Sequence, residues 1–515
     1  MRKTVVVAGA GPAGLTAAHE LLRVTDAEVI VLEAARHIGG ISRTHVHNGM
    51  RMDIGGHRFF SKSGRVMDFW LGLFPLQGAP AADDEAMGRG RNLSPGGPDP
   101  EKDERVMLLR RRCSRILYLR KFFAYPISLS LATIAALGLP RTLHAGFGYI
   151  GARLRRREEK TLEDFMVNRF GKPLYRMFFE DYNMKVWGVS PREMAPDWGA
   201  QRIKGLSLWK AVTGLFKSGG GETSLIEEFY YPKLGPGQLW EALAADVVSS
   251  GGKVRLGVAV TGVNIADGRV ASVTARGPDG EEVIACDSFV SSMPIADLVA
   301  AIAPREAVPK GARETAAALP YRDFMTAGLL VDKLALKNKT RMRAVGSLVP
   351  DCWIYVQERD VKIGRLQIFN NWSPYMAGGA KGVWLGLEYF CREGDGMWQT
   401  PDGEFIKMAA AELEKIGVTA PGTAVRDAVV LRVPKAYPGY FGAYERFPAL
   451  RGYLDTIGNL YCIGRNGQHR YNNMDHSMLT GFEAARLIAS GLTSATDKAA
   501  LWSINAEEEY HETAK

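Results

Sequence analysis

The chain of 515 residues is short of several features that define other protein classes. Its five cysteines, Cys113, Cys286, Cys352, Cys391 and Cys462, are scattered, odd in number and form no CxxC pair. That spacing argues against a disulfide framework and against structural zinc, and makes the cytoplasm the expected compartment. There is no HExxH and no GxSxG, and the nine histidines lack metal-ligand spacing, so hydrolase and metalloenzyme readings have little support and no metal is expected. Long apolar runs are missing too. Residues from Thr4 enter a strand pattern with no signal-peptide-like segment before it. The longest uncharged stretch, Phe122 to Pro140, approaches the ~20 residues a spanning helix needs, but Pro126 interrupts it and Ser128, Ser130 and Thr133 dilute it. It reads as a buried helix.

What is present describes a folded, soluble-type body. Hydrophobic residues at 46% and charged residues at 23% exclude disordered, collagenous and coiled-coil chains. The formal net charge of +9 tilts the protein toward anionic partners, here a small anionic substrate. The clusters Arg110-Arg-Arg112 and Arg153-Leu-Arg-Arg-Arg157 have no RNA- or DNA-binding motif beside them, so nucleic acid is not expected. They read as solvated charged faces; the second, close to the uncharged stretch, also leaves room for a peripheral contact with the inner face of a membrane. The oligomeric state is not legible.

Along the chain, Val5–Ala8 reads as a strand, Gly9–Gly14 as a turn, Leu15–Leu22 as a helix and Glu28–Leu32 as a second strand. Residues 76–105, rich in Gly, Pro, Asp and Arg, read as a flexible insertion. Helical spacing dominates from Phe122 to about Lys217, with a capping box at Thr161-Leu-Glu-Asp164. Strands return over 253–292, with hairpins at Asp267-Gly268 and Asp279-Gly280, and a β-rich block follows from Phe324 to Phe390. The helix from about Met474 comes back to the N-terminal domain. The expected division is therefore a dinucleotide-binding α/β domain assembled from 1–75, 236–300 and 451–495, the insertion 76–105, a mainly helical part 106–235, a β-sheet domain 301–450 and a tail 496–515.

The chemistry begins at Gly9-Ala-Gly11-Pro12-Ala13-Gly14, which stands directly between strand and helix. In that context Gly9 permits a tight turn, Gly11 a close backbone approach to a pyrophosphate, and Gly14 close packing of helix on strand. Glu33 ends the second strand, where a carboxylate can accept ribose hydroxyls, which suits NAD or FAD better than NADP. Arg36, Gly39, Gly40, Ser42 and Arg43 follow at the spacing of the two-dinucleotide-fold flavoproteins and resemble their second FAD fingerprint. FAD is the expected cofactor, with NAD(P)H as an external reductant.

Four further segments carry a more specific likeness: Asp53-Ile-Gly-Gly56-His57-Arg-Phe-Phe60, Tyr182-Asn-Met-Lys-Val-Trp-Gly188, Asp197-Trp-Gly-Ala-Gln-Arg202 and Gly464-Arg465-Asn-Gly-Gln-His-Arg470-Tyr471-Asn-Asn473-Met474-Asp475-His. They resemble the UDP-galactopyranose mutase branch, eukaryotic-type mutases above all, of the FAD amine-oxidase and protoporphyrinogen-oxidase superfamily. The likeness runs in patches from about residue 4 to 490. It implies an α/β two-dinucleotide-binding-domain flavoprotein fold with a helical subdomain and a mixed β-sheet substrate domain. It would make Arg202 and Arg365 diphosphate ligands, Tyr437 and Tyr471 hydroxyl donors to phosphate, and Asn473 a polar contact nearby. Tyr118, Trp353 and Tyr355 would line the nucleotide pocket. Gly56, Val260, Gly464, Arg465, Met474 and Asp475 would contact FAD, and His57 would lie beside the flavin, although it also reads as a core histidine bonded to backbone. Paired arginines with tyrosine hydroxyls suit a diphosphate, since they give charge-assisted bonds and further donors.

The activity this implies is a mutase's: ring contraction of a nucleotide sugar through N5 of reduced flavin. The alternative within the superfamily is an oxidoreductase acting on an amine, porphyrinogen or isoprenoid lipid, with the apolar Phe122–Pro140 stretch as its motive. One departure stands out: Asn371-Trp372-Ser-Pro-Tyr375 places Trp372 where the mutases carry an aromatic hydroxyl.

Overall fold

The computed structural model describes residues 2–89, 93–125, 127, 130–196 and 228–504. The central strands of its first sheet have no polar face. Strands β1 (Thr4–Ala8) and β2 (Glu28–Glu33) are buried at nearly every position, as continuous apolar strands are when helices cover both sides. Helix α1 (Pro12–Val24) joins them. With Lys253–Leu256, Ser288–Ser291 and Leu460–Cys462 they form a five-stranded parallel sheet, ordered Leu460–Cys462, Ser288–Ser291, β1, β2, Lys253–Leu256. One sheet thus draws on the beginning, middle and end of the chain. The helix Met474–Ala489 lies along α1, and Gly481 is what lets it in: a Cβ there would fall 2.5 Å from the Ala13 carbonyl oxygen.

A four-stranded sheet carries both hairpins read from the sequence. Ala259–Ala266 and Arg269–Gly277 are joined through Asp267 and Gly268, both at positive φ (48° and 70°), the twist a two-residue hairpin needs. The third sheet has seven strands, ordered Val425–Pro438, Tyr321–Val331, Val383–Cys391, Arg365–Ile368, Trp353–Val356, Ser114–Tyr118 and Lys121–Ala124. Its last two strands come from the part assigned to the helical subdomain. The parallel pairing of Ser114–Tyr118 with Trp353–Val356 spans more than two hundred residues and leaves no local periodicity to read.

The stretch Phe122–Pro140 is not one buried helix. Phe122 and Phe123 belong to a strand, and the helix starts only at Leu131, capped by Ser130, whose Oγ accepts the Thr133 amide. Pro126 and Ser128 lie outside the described residues. The cluster Arg110-Arg-Arg112 is not a solvated face either. Arg110 is fully buried and donates to both carboxylate oxygens of Asp83 (2.9 and 2.6 Å), themselves buried. That pair, with the Gln77 amide bonded to Asp84 at 2.8 Å, anchors residues 77–84 by polar contacts.

Candidate active site

A cavity of about 910 Å³ is walled by residues of the parallel and the seven-stranded sheets. Two helices begin in its wall, α1 at Pro12 and Met474–Ala489 at Met474; the start of α1, with no side-chain cap and no acid in its first turn, favours an anion there. The three glycines of the first turn differ in what they allow. A Cβ on Gly14 would fall 1.9 Å from the Gly9 carbonyl oxygen, so this glycine serves the packing of helix on strand. A Cβ on Gly11 would meet nothing nearer than 3.8 Å. The space beside Gly11 is therefore kept for something other than protein.

Glu33 is fixed at the end of β2 by two backbone donors, the amides of Ala10 (2.7 Å) and Ala35 (2.8 Å), and keeps further lone pairs for hydroxyl donors. Arg43 has a single hydrogen bond, to the Gly40 carbonyl at 3.3 Å, and no carboxylate partner among the described residues. Burial lowers its pKa to about 10, so it remains a cation at neutral pH. An uncompensated cation, an acid at the ribose position and a vacant glycine face beneath a helix N-terminus fit a dinucleotide diphosphate.

The loop that follows the hairpin of Thr44–His47 and Met50–Asp53 forms the next part of the wall. Buried Asp53 holds it by accepting from Thr44 (2.8 Å) and from the Tyr231 hydroxyl, and burial pushes its pKa up to about 7. Gly56 has no room for a side chain, because a Cβ would fall 1.6 Å from the Trp353 ring. His57, half-buried at the cavity surface, has its pKa lowered to about 3 by burial and then by Arg465, against a backbone contact with Gly55, and its Nδ1 has no geometric hydrogen-bond partner among the described residues. It is neutral at physiological pH.

At the far side Arg365 stands between aromatic walls. Its Nε donates to Tyr182 (2.7 Å) and its terminal nitrogen to Tyr437 (3.1 Å) and Glu388 (3.2 Å). Burial works against its charge, yet the two hydroxyls and the carboxylate hold its pKa above the ordinary value. Glu388 is fully buried, which raises its pKa against the pull of Arg365, and it also accepts from Gln367 at 3.1 Å. Tyr182 reaches the site because Lys185, on the same helix, grips the carbonyls of Val356, Glu358 and Ile363. Tyr437 stacks on Tyr471 at 5.8 Å, with the Arg465 guanidinium 4.5 Å from the Tyr471 ring.

Most of the residues singled out in the sequence come together here. Arg36, Gly14, Gly39 and Tyr118 do not line the cavity, and Arg202 lies outside the described residues. Arg36 is exposed beside Gly257, Gly39 turns the loop at φ 98°, and Tyr118 packs on Phe123 and Phe178. Trp372 is buried and donates to the Cys352 carbonyl, while the Tyr375 hydroxyl binds Glu101, so neither belongs to the wall. Sequence reasoning missed Glu388 and Arg58. A charge inside the otherwise apolar strand Val383–Cys391 was the signal for Glu388. Arg58 packs over Phe229 and Trp372, with its Nε buried and without a hydrogen-bond partner among the described residues.

A profile of the family described as flavin containing amine oxidoreductase matches residues 12–489. The chain belongs to that family. It is a flavin-dependent enzyme with a mixed α/β flavoprotein fold, and the cavity fits FAD. Among solved structures, reduced UDP-galactopyranose mutase is similar over 99% of this chain and 100% of its own, with a TM-score of 0.76 and 20% identity. Putrescine oxidase is similar over 95% and 99%, at 0.57 and 14%. The CLA-producing fatty acid isomerase of P. acnes is similar over 94% and 98%, at 0.57 and 11%. At these identities the likeness is one of fold, which hosts mutase, oxidase and isomerase alike. No described helix is long and apolar enough to cross a membrane.

Proposed function

We propose that this flavoenzyme isomerises a nucleotide sugar, in the manner of the mutase whose fold it shares. The observation that supports this is the charge of the cavity wall, which holds six arginines against three carboxylates, Glu33, Asp297 and Asp475. Such a wall suits a substrate that brings a diphosphate of its own in addition to that of FAD. Glu33, Gly11, Arg43 and the start of α1 would hold the nucleotide half of FAD, and Gly56, His57 and the start of Met474–Ala489 would hold its ring. Bound and reduced, FAD supplies a nucleophilic nitrogen. The protein's part is to orient the sugar and stabilise the leaving diphosphate as its charge develops. Arg58 and Arg365 would serve that task, with Tyr437 and Tyr471 as hydroxyl donors and Asn473 as a further polar group in the wall; Arg202 is added only by the likeness in sequence. Trp353 and Tyr355 offer faces on which a base can stack. External NAD(P)H would reduce the flavin.

The test uses dithionite-reduced protein without oxygen, titrated with UDP and then incubated with UDP-galactopyranose. Tight UDP binding that Arg58→Met weakens at least about tenfold, with furanose product by NMR, is the expected result. Absence of both binding and product refutes it. The aromatic wall of Phe229, Trp353, Tyr355 and Tyr437 favours, as a second reading, an oxidoreductase acting on an apolar substrate. An amine substrate fits less well, because a cation would enter among arginines.

A further inference from the structure

Surface helices ordinarily bury their large apolar side chains and show polar ones. The helix Leu139–Leu154 does the reverse. Its buried residue is Ala145, and small residues make the contact beneath it: a Cβ on Gly148 would fall 2.3 Å from Cδ of Pro173, and one on Gly171 would fall 2.7 Å from the Gly148 backbone. The large side chains face out. Leu139, Leu143, Phe147, Ile150 and Leu154 are 65%, 52%, 72%, 55% and 79% exposed. At 100° and 1.5 Å per residue they fall within an arc of about 80° and form one stripe about 22 Å long. Other exposed large apolar residues, such as Val24, Val46 and Val283, sit singly, which is ordinary.

We propose that this helix docks the protein flat on an anionic lipid surface, with the stripe among the upper acyl chains. Charge complementarity selects that occupant. The helix has no acidic residue, carries Arg141 and Arg153, and runs directly into Arg155 and Arg156. Arg153, Arg155 and Arg156 are exposed and have no acidic partner among the described residues, and Arg157 reaches Asp164 only at 4.0 Å. Their long stems allow the guanidinium groups to stay at the headgroups while the stripe sinks. A second copy would bring the same cations, adding like charge where lipid phosphate neutralises it. With no described helix able to span, the contact is peripheral. It would place the enzyme beside lipid-linked acceptors or donors without altering the cavity chemistry, and it stands independently of the substrate assigned above.

The experiment is flotation of the full-length, flavin-loaded protein with vesicles of phosphatidylcholine containing one third phosphatidylglycerol, and with phosphatidylcholine alone. Binding to the anionic vesicles should exceed binding to neutral ones at least about tenfold and fall as salt screens the arginines. Leu143→Glu with Phe147→Glu should abolish it while the flavin spectrum and melting temperature stay unchanged. Because all five native cysteines are buried, Phe147→Cys gives a reporter thiol, which should label rapidly in solution and slowly with anionic vesicles. No flotation, or flotation indifferent to the double glutamate variant, overturns the proposal. So does a dimer in solution that the double variant dissociates, which would assign the face to a second copy. Slow labelling without vesicles overturns it too, since the face would then be covered by another part of the chain.

Discussion

Gly11 and Gly14 lie three residues apart in one turn, yet their replacement by alanine should fail in different ways. At Gly14 the new methyl carbon would come within 1.9 Å of the Gly9 carbonyl oxygen and 3.1 Å of its carbon. Both are backbone atoms and cannot swing aside, so helix α1 must back away from β1, an overpacking cost of about 1–3 kcal/mol. At Gly11 the backbone is extended (φ −85°, ψ −176°), a conformation alanine adopts freely, and the nearest atom is 3.8 Å away. Gly11→Ala should leave the flavin-free protein as stable as before, or about 0.4–1 kcal/mol more so through loss of unfolded-state freedom. Its penalty should appear only with FAD, where a methyl group displaces the diphosphate from the amides. The loss of one charge-assisted hydrogen bond, about 1.5–3 kcal/mol, corresponds to roughly 10- to 150-fold in Kd. Urea unfolding of flavin-stripped protein, paired with FAD titration, separates the two quantities. Normal FAD affinity in Gly11→Ala, or equal destabilisation of the stripped protein by both variants, refutes the assignment of Gly11 to the ligand and Gly14 to the fold.

Arg43→Met removes a cation with one long hydrogen bond and no acidic partner among the described residues, so FAD titration should show at least about tenfold weaker binding while the urea midpoint of stripped protein scarcely moves; unchanged affinity counts against a diphosphate at this point. Asp83→Ala leaves Arg110 buried with a 3.4 Å contact to Asp84, and should cost about 3–5 kcal/mol in urea unfolding without altering the flavin spectrum. His469 is buried and neutral, its pKa lowered to about 4 by burial against a bond to the Gly439 carbonyl. Between pH 6.5 and 4 the unfolded chain takes up a proton there that the folded chain refuses. Its contribution is therefore present above pH 6.5 and lost as pH falls, at about 1.4 kcal/mol per pH unit and about 3 kcal/mol in all. His469→Phe should flatten that part of the stability profile, and an unchanged slope would show that other groups set it.

How far each feature could be read from sequence follows from how local its physics is. The turn from Gly9 to Gly14 and the carboxylate of Glu33 were legible because strand, glycines, helix and acid follow one another within a single βαβ unit, and each constrains its neighbour's backbone. Arg365 could be proposed from the family likeness, but its balance could not, since Glu388 faces it only once two strands pair in register. Nor does anything local announce that Gly56 is small because Trp353 lies against it. Residues 76–105 show a different limit. Apolar periodicity detects hydrophobic anchoring, whereas Asp83, Asp84 and Arg110 anchor this segment by charge. The helix Leu139–Leu154 inverts the same rule, since its apolar stripe would ordinarily be assigned to a core and here faces outward.

The balance of charges in the cavity changes how its arginines should be tested. Arg365 and Arg432 already have carboxylate partners, Glu388 at 3.2 Å and Asp402 at 2.7 Å. Arg43, Arg58 and Arg465 have none among the described residues, and Arg465 spends its donors on the carbonyls of Asn472 and Ala436. Removing Arg365 would therefore strand a fully buried Glu388 and loosen Tyr182 and Tyr437, a penalty about as large as that of losing a ligand contact, and weak UDP binding in Arg365→Ala would not separate the two. Arg58 has no such debt. Its Nε lacks a partner among the described residues, its side chain rests on Phe229 and Trp372, and a terminal nitrogen donates to the Ser114 hydroxyl at 2.8 Å. A substrate anion should consequently be felt most cleanly through Arg58, whereas the effect of Arg365 on an anion is mixed with its bonds to Tyr182, Tyr437 and Glu388.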